Sequence, residues 1–153
     1  MIGKKAKLPL YKVFGGYRDK VPCYITCAYY RDNKSNSELE DEILKLVDQG
    51  HKAFKIKVGA LSLVEDMKRV EIVRDAIGYD KELMIDVNRG WNLKTAIEGC
   101  TLLKQFKPTW IEEPVRWADD RRELKILSRK TNIPISGGES ENTIFGCRSL
   151  IEE

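Results

Sequence analysis

Three carboxylates and two lysines are the side chains whose spacing in this sequence carries chemistry. Asp86, Glu112 and Glu139 each follow a short apolar run: Leu83-Met84-Ile85 leads into Asp86-Val87-Asn88, Trp110-Ile111 into Glu112-Glu113-Pro114, and Ile133-Pro134-Ile135 through two glycines into Glu139. The intervals are 26 and 27 positions, so the acids recur at one point of three successive units. Carboxylates gathered in a poorly hydrated cleft repel one another unless a cation sits among them. A donor set of Asp and Glu, with no His or Cys nearby, suits a hard divalent ion, Mg2+ before others. Taken singly, each acid would be an ordinary solvated strand end. The recurrence at matching points argues for the metal.

Lys55 and Lys57 lie one unit earlier, in Phe54-Lys55-Ile56-Lys57-Val58, which alternates with period two and stops at Gly59. Strand side chains alternate between faces, so both lysines point the same way. Lysines commonly protect an edge strand. These two, however, close their strand at the end where the acids close theirs, the end at which parallel α/β folds bind ligands. An ammonium beside a metal ion and a second ammonium is disfavoured, which makes Lys57 a candidate base near neutral pH. A base beside a Lewis acid suits removal of the proton α to a carboxylate, the ion stabilising the enediolate that forms.

The elements that must position these groups alternate along the chain. Val21 to Ala28 reads as a first strand. Ser37 and Glu40 have the capping-box spacing of a helix start, and Leu39, Ile43, Leu44, Leu46 and Val47 give that helix an apolar stripe up to Gly50. The next strand is Phe54 to Val58, followed by a helix over Leu61 to Ile77 that Gly78 closes. Further strands fall at Leu83 to Val87, Trp110 to Glu112 and Ile133 to Ser136, with helices from about Asn92 to Phe106, from about Asp119 to Lys130, and from near Asn142 to the end. Such alternation predicts a parallel α/β sheet with right-handed crossovers. The 153 residues suit a complete five-strand open sheet of flavodoxin type, whereas a closed (β/α) barrel needs about 250. Length therefore favours the open sheet and the site residues favour the barrel.

Composition excludes several classes. With 42% hydrophobic and 33% charged residues the chain is long enough for one compact domain. Its 27 basic and 24 acidic residues are interspersed, leaving no stripe of the kind nucleic acid requires. No apolar run approaches the ~20 residues of a spanning helix, so no membrane partner is expected and a cytoplasmic location is. Cys23 and Cys27, on one expected strand, would lie roughly 13 Å apart, too far to bridge. With Cys100 and Cys147 they are expected to be free.

KIK at 55–57, DVN at 86–88, WIEEP at 110–114 and GGE at 137–139 stand in the order and spacing of the mandelate racemase and muconate lactonizing branch of the enolase superfamily, which the sequence resembles over nearly its whole length. The start, LPLYKVFGGYRDKVPCYIT, resembles the link from that family's capping domain into barrel strand one. The resemblance implies a partial TIM-type (β/α) barrel of about five parallel strands alternating with helices. Residues 1–20 would be the connector from a missing N-terminal capping domain and 21–153 the N-terminal part of the barrel domain. It implies Asp86, Glu112 and Glu139 as Mg2+ ligands, Lys57 as the base, and Lys55 as its pKa-lowering neighbour and contact to the substrate carboxylate. Asn88 and Thr26 become substrate-binding candidates. Glu113 faces away from Glu112, as a structural hydrogen-bond partner.

The implied activity is that of a Mg2+-dependent acid-sugar dehydratase, racemase or cycloisomerase acting on a small carboxylate, acid sugars included. Strands six to eight of the family, which carry a lysine or an Asp-His pair on the opposite face of the substrate, have no counterpart here. The only histidine, His51, stands before the second strand, roughly 20 Å from Lys57 and at the wrong end. The chain by itself is therefore expected to be inactive, and either to form a homo-oligomer or to need the complementary part of the barrel. Two other classes compete. A receiver-like signalling domain would use Asp86 as phosphoacceptor, but Cys27-Ala28-Tyr29-Tyr30 stands where it needs acids and Glu139-Ser140 where it needs a lysine. A non-catalytic half-barrel would associate with its own copies through open strand edges.

Overall fold

Alternation of apolar and functional side chains divides every strand of the protein between two faces. The computed structural model describes residues 1–117 and 120–152. Its strands β1 (Ile25–Cys27), β2 (Ala53–Lys57), β3 (Glu82–Asp86), β4 (Trp110–Glu112) and β5 (Ile135–Ser136) form one sheet. One face presents Ile25, Cys27, Phe54, Ile56, Leu83, Ile85, Ile111 and Ile135 to the hydrophobic core. The other carries Thr26, Lys55, Lys57, Met84, Asp86, Trp110, Glu112 and Ser136, as the strand registers require.

The helices supply the other half of the core from one side. Leu39 and Ile43 of α3 (Asn36–Asp48), Val70, Val73 and Ile77 of α4 (Leu63–Ile77), Ala96, Cys100 and Leu103 of α5 (Leu93–Leu103), and Leu127 of α6 (Asp120–Ser128) all belong to the same buried cluster. Each of these helices packs on the next, making a single outer layer. Two short helices, α1 (Ile2–Ala6) and α2 (Leu10–Val13), lie in the segment expected to be a connector, and α7 (Ile144–Glu152) follows β5.

The sheet is wholly parallel and its strand order is β1-β2-β3-β4-β5, with no reversal. A doubly wound sheet reverses its order and puts helices on both faces. Consecutive order with one helical layer is instead an arc of a (β/α) barrel, so the open flavodoxin-type sheet and the receiver-like arrangement built on it do not describe this chain. Among the described residues the arc ends at β1 and β5.

Local chemistry sets the boundaries. The capping box of α3 is Ser35 with Glu38, not Ser37 with Glu40: Ser35 is extended, its Oγ accepts from Glu38 N, and the Glu38 carboxylate returns to Ser35 N. This frame places the Glu42 carboxylate against Lys34 and the Ala28 N–H. The next helix begins at Leu63 rather than Leu61 because Ser62 and Glu65 form a second capping box. Asn92 caps α5, which gives way to a 3-10 turn at Lys104–Phe106. Strand β1 is shorter than expected, since Val21 to Tyr24 find no ladder partner, and β5 begins at Ile135 because Pro134 has no N–H, although its carbonyl accepts from Ile111 N at 2.9 Å. The helix expected from Asp119 begins at Asp120, Asp119 itself lying outside the described residues, as does Glu153 at the end of the last helix.

All four cysteines are free; Cys27 and Cys100 are buried and Cys23 and Cys147 exposed. No helix among the described residues is long and apolar enough to cross a membrane.

Candidate active site

Register, rather than loop conformation, assembles the centre of the site. Lys57 pairs with Asp86, Asp86 with Glu112, and Glu112 with Ser136, so four polar residues form one row across the C-terminal ends of β2 to β5. A second row, two residues deeper, joins Thr26, Lys55, Met84 and Trp110. Both rows lie on the face turned away from the helices.

The four charges of the two rows pair closely. Lys57 Nζ lies 2.6 Å from Asp86 Oδ2 and donates to Asn88 Oδ1 at 2.6 Å. Lys55 Nζ lies 2.7 Å from Glu112 Oε1 and 3.5 Å from Asp86 Oδ2. The second oxygens are also satisfied: Asp86 Oδ1 accepts from Asn88 N at 3.0 Å and Glu112 Oε2 from Trp110 Nε1 at 3.2 Å. Asp86 is 1% exposed and Lys55 8% exposed. For Lys55, burial is the largest single influence and works against the ammonium. The hydrogen bond to Glu112 and the charges of Glu112 and Asp86 outweigh it, so the pKa is raised above the ordinary lysine value. Tyr24 adds its ring face, 5.2 Å from Lys55 Nζ, and meets Trp110 edge-on.

Loops complete the rim. Asn88 and Arg89 both have positive φ, 45° and 63°, which turns the chain sharply after β3 and brings Asn88 back to Lys57. Tyr29, Tyr30, Lys57 and Asn88 line one depression, with Gly59 and Gly90 at its floor. The two glycines are in such close approach that a Cβ on Gly90 would stand 2.6 Å from Gly59 O. Beneath the rim, the fully buried Asp66 accepts from Gly59 N at 2.6 Å and from the Tyr30 hydroxyl.

Six of the seven residues expected from the sequence are therefore neighbours: Lys55, Lys57, Asp86, Glu112 and Thr26 in the two rows, with Asn88 above them. Glu139 stands apart. It lies beyond Gly137 and Gly138 on the loop after β5, lining a shallow depression with Asn88, Arg89, Arg116 and Trp117. Among the described residues no group of three His, Cys, Asp or Glu side chains surrounds a common point. His51 packs edge-on against Phe54 at the other end of β2.

The donor set can be tested against a divalent ion. Asp86 and Glu112 are register partners that offer only oxygens, with side chains 1% and 15% exposed, and Mg2+ is commonly held by one or two carboxylates with water and substrate oxygens completing its shell. The residues fit that pattern, with the lysines as present counter-charges to the acids and Glu139 one strand away.

Ser136 and Trp110 belong to this site and were not singled out from the sequence. Strand parity would have found both, since each stands two residues from, or in register with, Glu112 on the same face. Glu113, as its parity predicts, leaves that face: its φ is +45° and its carboxylate is buried in the scaffold.

Comparison with known proteins gives the chain a family. Residues 38–153 match the family model described as enolase C-terminal domain-like. Arabinonate dehydratase of Saccharolobus solfataricus is 35% identical over 144 residues, covering 94% of this chain and 38% of that protein. L-Ala-D/L-Glu epimerase of Clostridium acetobutylicum is 35% identical over 142 residues, covering 92% and 38%. The crystal structure of L-talarate dehydratase from Polaromonas sp. JS666, complexed with Mg and L-glucarate, superposes with a TM-score of 0.85 at 31% identity over 98% of this chain and 42% of that one. The chain thus spans about two-fifths of the length of these relatives.

Proposed function

The chain belongs to the enolase C-terminal domain-like family, in the mandelate racemase and muconate lactonizing branch of the enolase superfamily, and from that membership we propose that it supplies the metal-binding and base-bearing part of an enzyme that removes the proton α to a carboxylate. The substrate class is a small carboxylate, an acid sugar foremost, and the reaction a dehydration, a racemisation or a cycloisomerisation. Dehydratase and epimerase relatives of similar identity support this range. The observation that carries the reading is the register-fixed row Lys57–Asp86–Glu112 with Lys55 behind it.

Asp86 and Glu112, joined by Glu139 from the β5 loop, are the residues that would hold Mg2+. Mg2+ held there would supply Lewis-acid stabilisation of the negative charge that develops on the substrate carboxylate as its α-proton leaves. Lys57 Nζ receives that proton, and the Asn88 side chain, 2.6 Å away, fixes the direction in which Nζ points. Lys55, already held as an ammonium, is placed to pair with the substrate carboxylate. Thr26, next to Lys55 in register, and the depression under Tyr29 offer the substrate its remaining contacts.

The test is Mg2+ titration by calorimetry of the folded wild-type chain against Glu112→Gln. Binding by the wild type that weakens by about 10-fold or more in the variant is expected for loss of one ligand. Equal and negligible heats in two folded samples would remove the metal site. The 153-residue chain alone is expected not to exchange the α-proton of a carboxylate substrate into D2O.

A further inference from the structure

The two acids that register holds, Asp86 and Glu112, leave open how the third is fixed. Glu139 lies three positions past the last residue of β5, and between them are Gly137 and Gly138, the latter at φ +102°. No ladder reaches it. The hydrogen bonds given to the Gly138 and Glu139 amides both end on one atom, Glu113 Oε1, at 2.7 and 3.1 Å.

Glu113 is built for that task. It is 2% exposed, and its φ of +45°, a conformation disfavoured for any residue with a Cβ, swings its side chain away from the row that contains Glu112. Its other oxygen, Oε2, is 2.9 Å from Arg89 Nη2, and its carbonyl accepts from Arg89 N at 2.7 Å. Its own N–H donates to Ser136 O at 2.9 Å. Arg89, three residues after Asp86, is in turn held against the Trp117 ring at 4.7 Å and by Asp120 at 3.4 Å. The loops that follow β3, β4 and β5 therefore meet at a single carboxylate.

We infer that Glu113 is the positioning residue that fixes the Glu139 loop relative to Asp86 and Glu112 and so sets the affinity of the site for a divalent cation. This rests on the metal-binding reading of the same site. Glu113 touches neither ion nor substrate; it acts through Glu139.

The experiment compares wild type, Glu113→Ala, Glu139→Gln and the double variant in the full chain. Amide hydrogen exchange at Gly138 and Glu139 is read without metal, and Mg2+ affinity by calorimetry well below each unfolding midpoint. Glu113→Ala should speed exchange of both amides by about tenfold or more and weaken Mg2+ by about 10- to 100-fold. With Glu139→Gln already present, adding Glu113→Ala should weaken Mg2+ by no more than about twofold, because the residue it acts through is gone. If Glu113→Ala does not fold, Glu113→Asp, too short to reach Arg89 and both amides together, is read in its place. A folded variant whose Mg2+ affinity stays within about threefold of wild type, or losses that simply add in the double variant, would overturn the inference. A wild type that binds no Mg2+ overturns the metal reading and this inference together, whereas a binding wild type with an unaffected variant overturns only the role of Glu113.

Discussion

Asp86 and Glu112 are register partners on adjacent strands, and a single ammonium, Lys55 Nζ, reaches both carboxylates, at 3.5 and 2.7 Å. With Lys57 at 2.6 Å from Asp86, two positive and two negative charges balance among side chains that are at most 20% exposed. Such a balance depends on distances that the strands impose, and therefore on the groups that lock the strands and helices together.

Arg74 is one such group, at the opposite end of the sheet. Its buried guanidinium donates to four carbonyls, those of Phe106, Gly78, Lys81 and Lys107, at 2.8 to 3.3 Å, joining the end of α4 to the segments that enter β3 and β4. Arg74→Met should lower the unfolding free energy in urea by about 3 kcal/mol or more, since several buried acceptors lose their donor. Arg74→Lys should recover little, an ammonium having no planar fork to offer.

Gly90 tests the close approach under the rim. A Cβ there would meet the backbone oxygen of Gly59 at 2.6 Å, so Gly90→Ala must push the β2 and β3 loops apart. It should cost about 1–3 kcal/mol as an overpacking change and weaken Mg2+ binding as Asn88 shifts. Gly50→Ala meets open space but sits at φ +87°; it should cost about 1 kcal/mol and leave Mg2+ affinity unchanged.

The Glu42 carboxylate gives the chain a defined acid sensitivity. Burial, the largest influence, opposes its charge, but the Lys34 ammonium and the Ala28 N–H prevail and hold its pKa below the ordinary glutamate value. A depressed folded-state pKa contributes stability that is present above the unfolded value, about 4.3, and is lost as pH falls through the folded one. The difference in urea midpoint between wild type and Glu42→Gln should therefore be full at neutral pH and shrink steadily below about pH 4.

Thiol chemistry should divide the cysteines in two. Burial pushes the Cys27 thiol up to about 12 and the Cys100 thiol up to about 11. A thiol-reactive chromophore should label Cys23 and Cys147 rapidly in the native chain and the other two only after denaturant is added, since the thiolate is the reacting form.

The parts of the fold that were legible in the sequence are those written in period. The alternation of Phe54 to Val58 and the spacing of Asp86, Glu112 and Glu139 gave the strands, their parallel course and the shared end of the site, because side chains in a strand have no choice of face. Boundaries were less legible where two frames compete: Ser35-x-x-Glu38 and Ser37-x-x-Glu40 are equal as patterns, and only the tertiary pairing of Glu42 with Lys34 and Ala28 separates them. Barrel or open sheet could not be read from length, which suited an open sheet; the consecutive strand order and the helical layer on one face decided it. Glu139 marks the other limit. Its position follows from a loop anchored by Glu113, and no local pattern in Gly137-Gly138-Glu139 announces a tie 25 residues away in sequence.

Among the described residues each strand pairs with its neighbours in the sequence, β1 with β2 through to β4 with β5. Short sequence separation between contacting units favours rapid folding, and each strand emerges during synthesis after the neighbour it pairs with. Lys57 meets Asp86 once β3 docks on β2, Glu112 joins when β4 follows, and the loop bearing Glu139 comes last. These groups come together in the direction in which the ribosome reads the message.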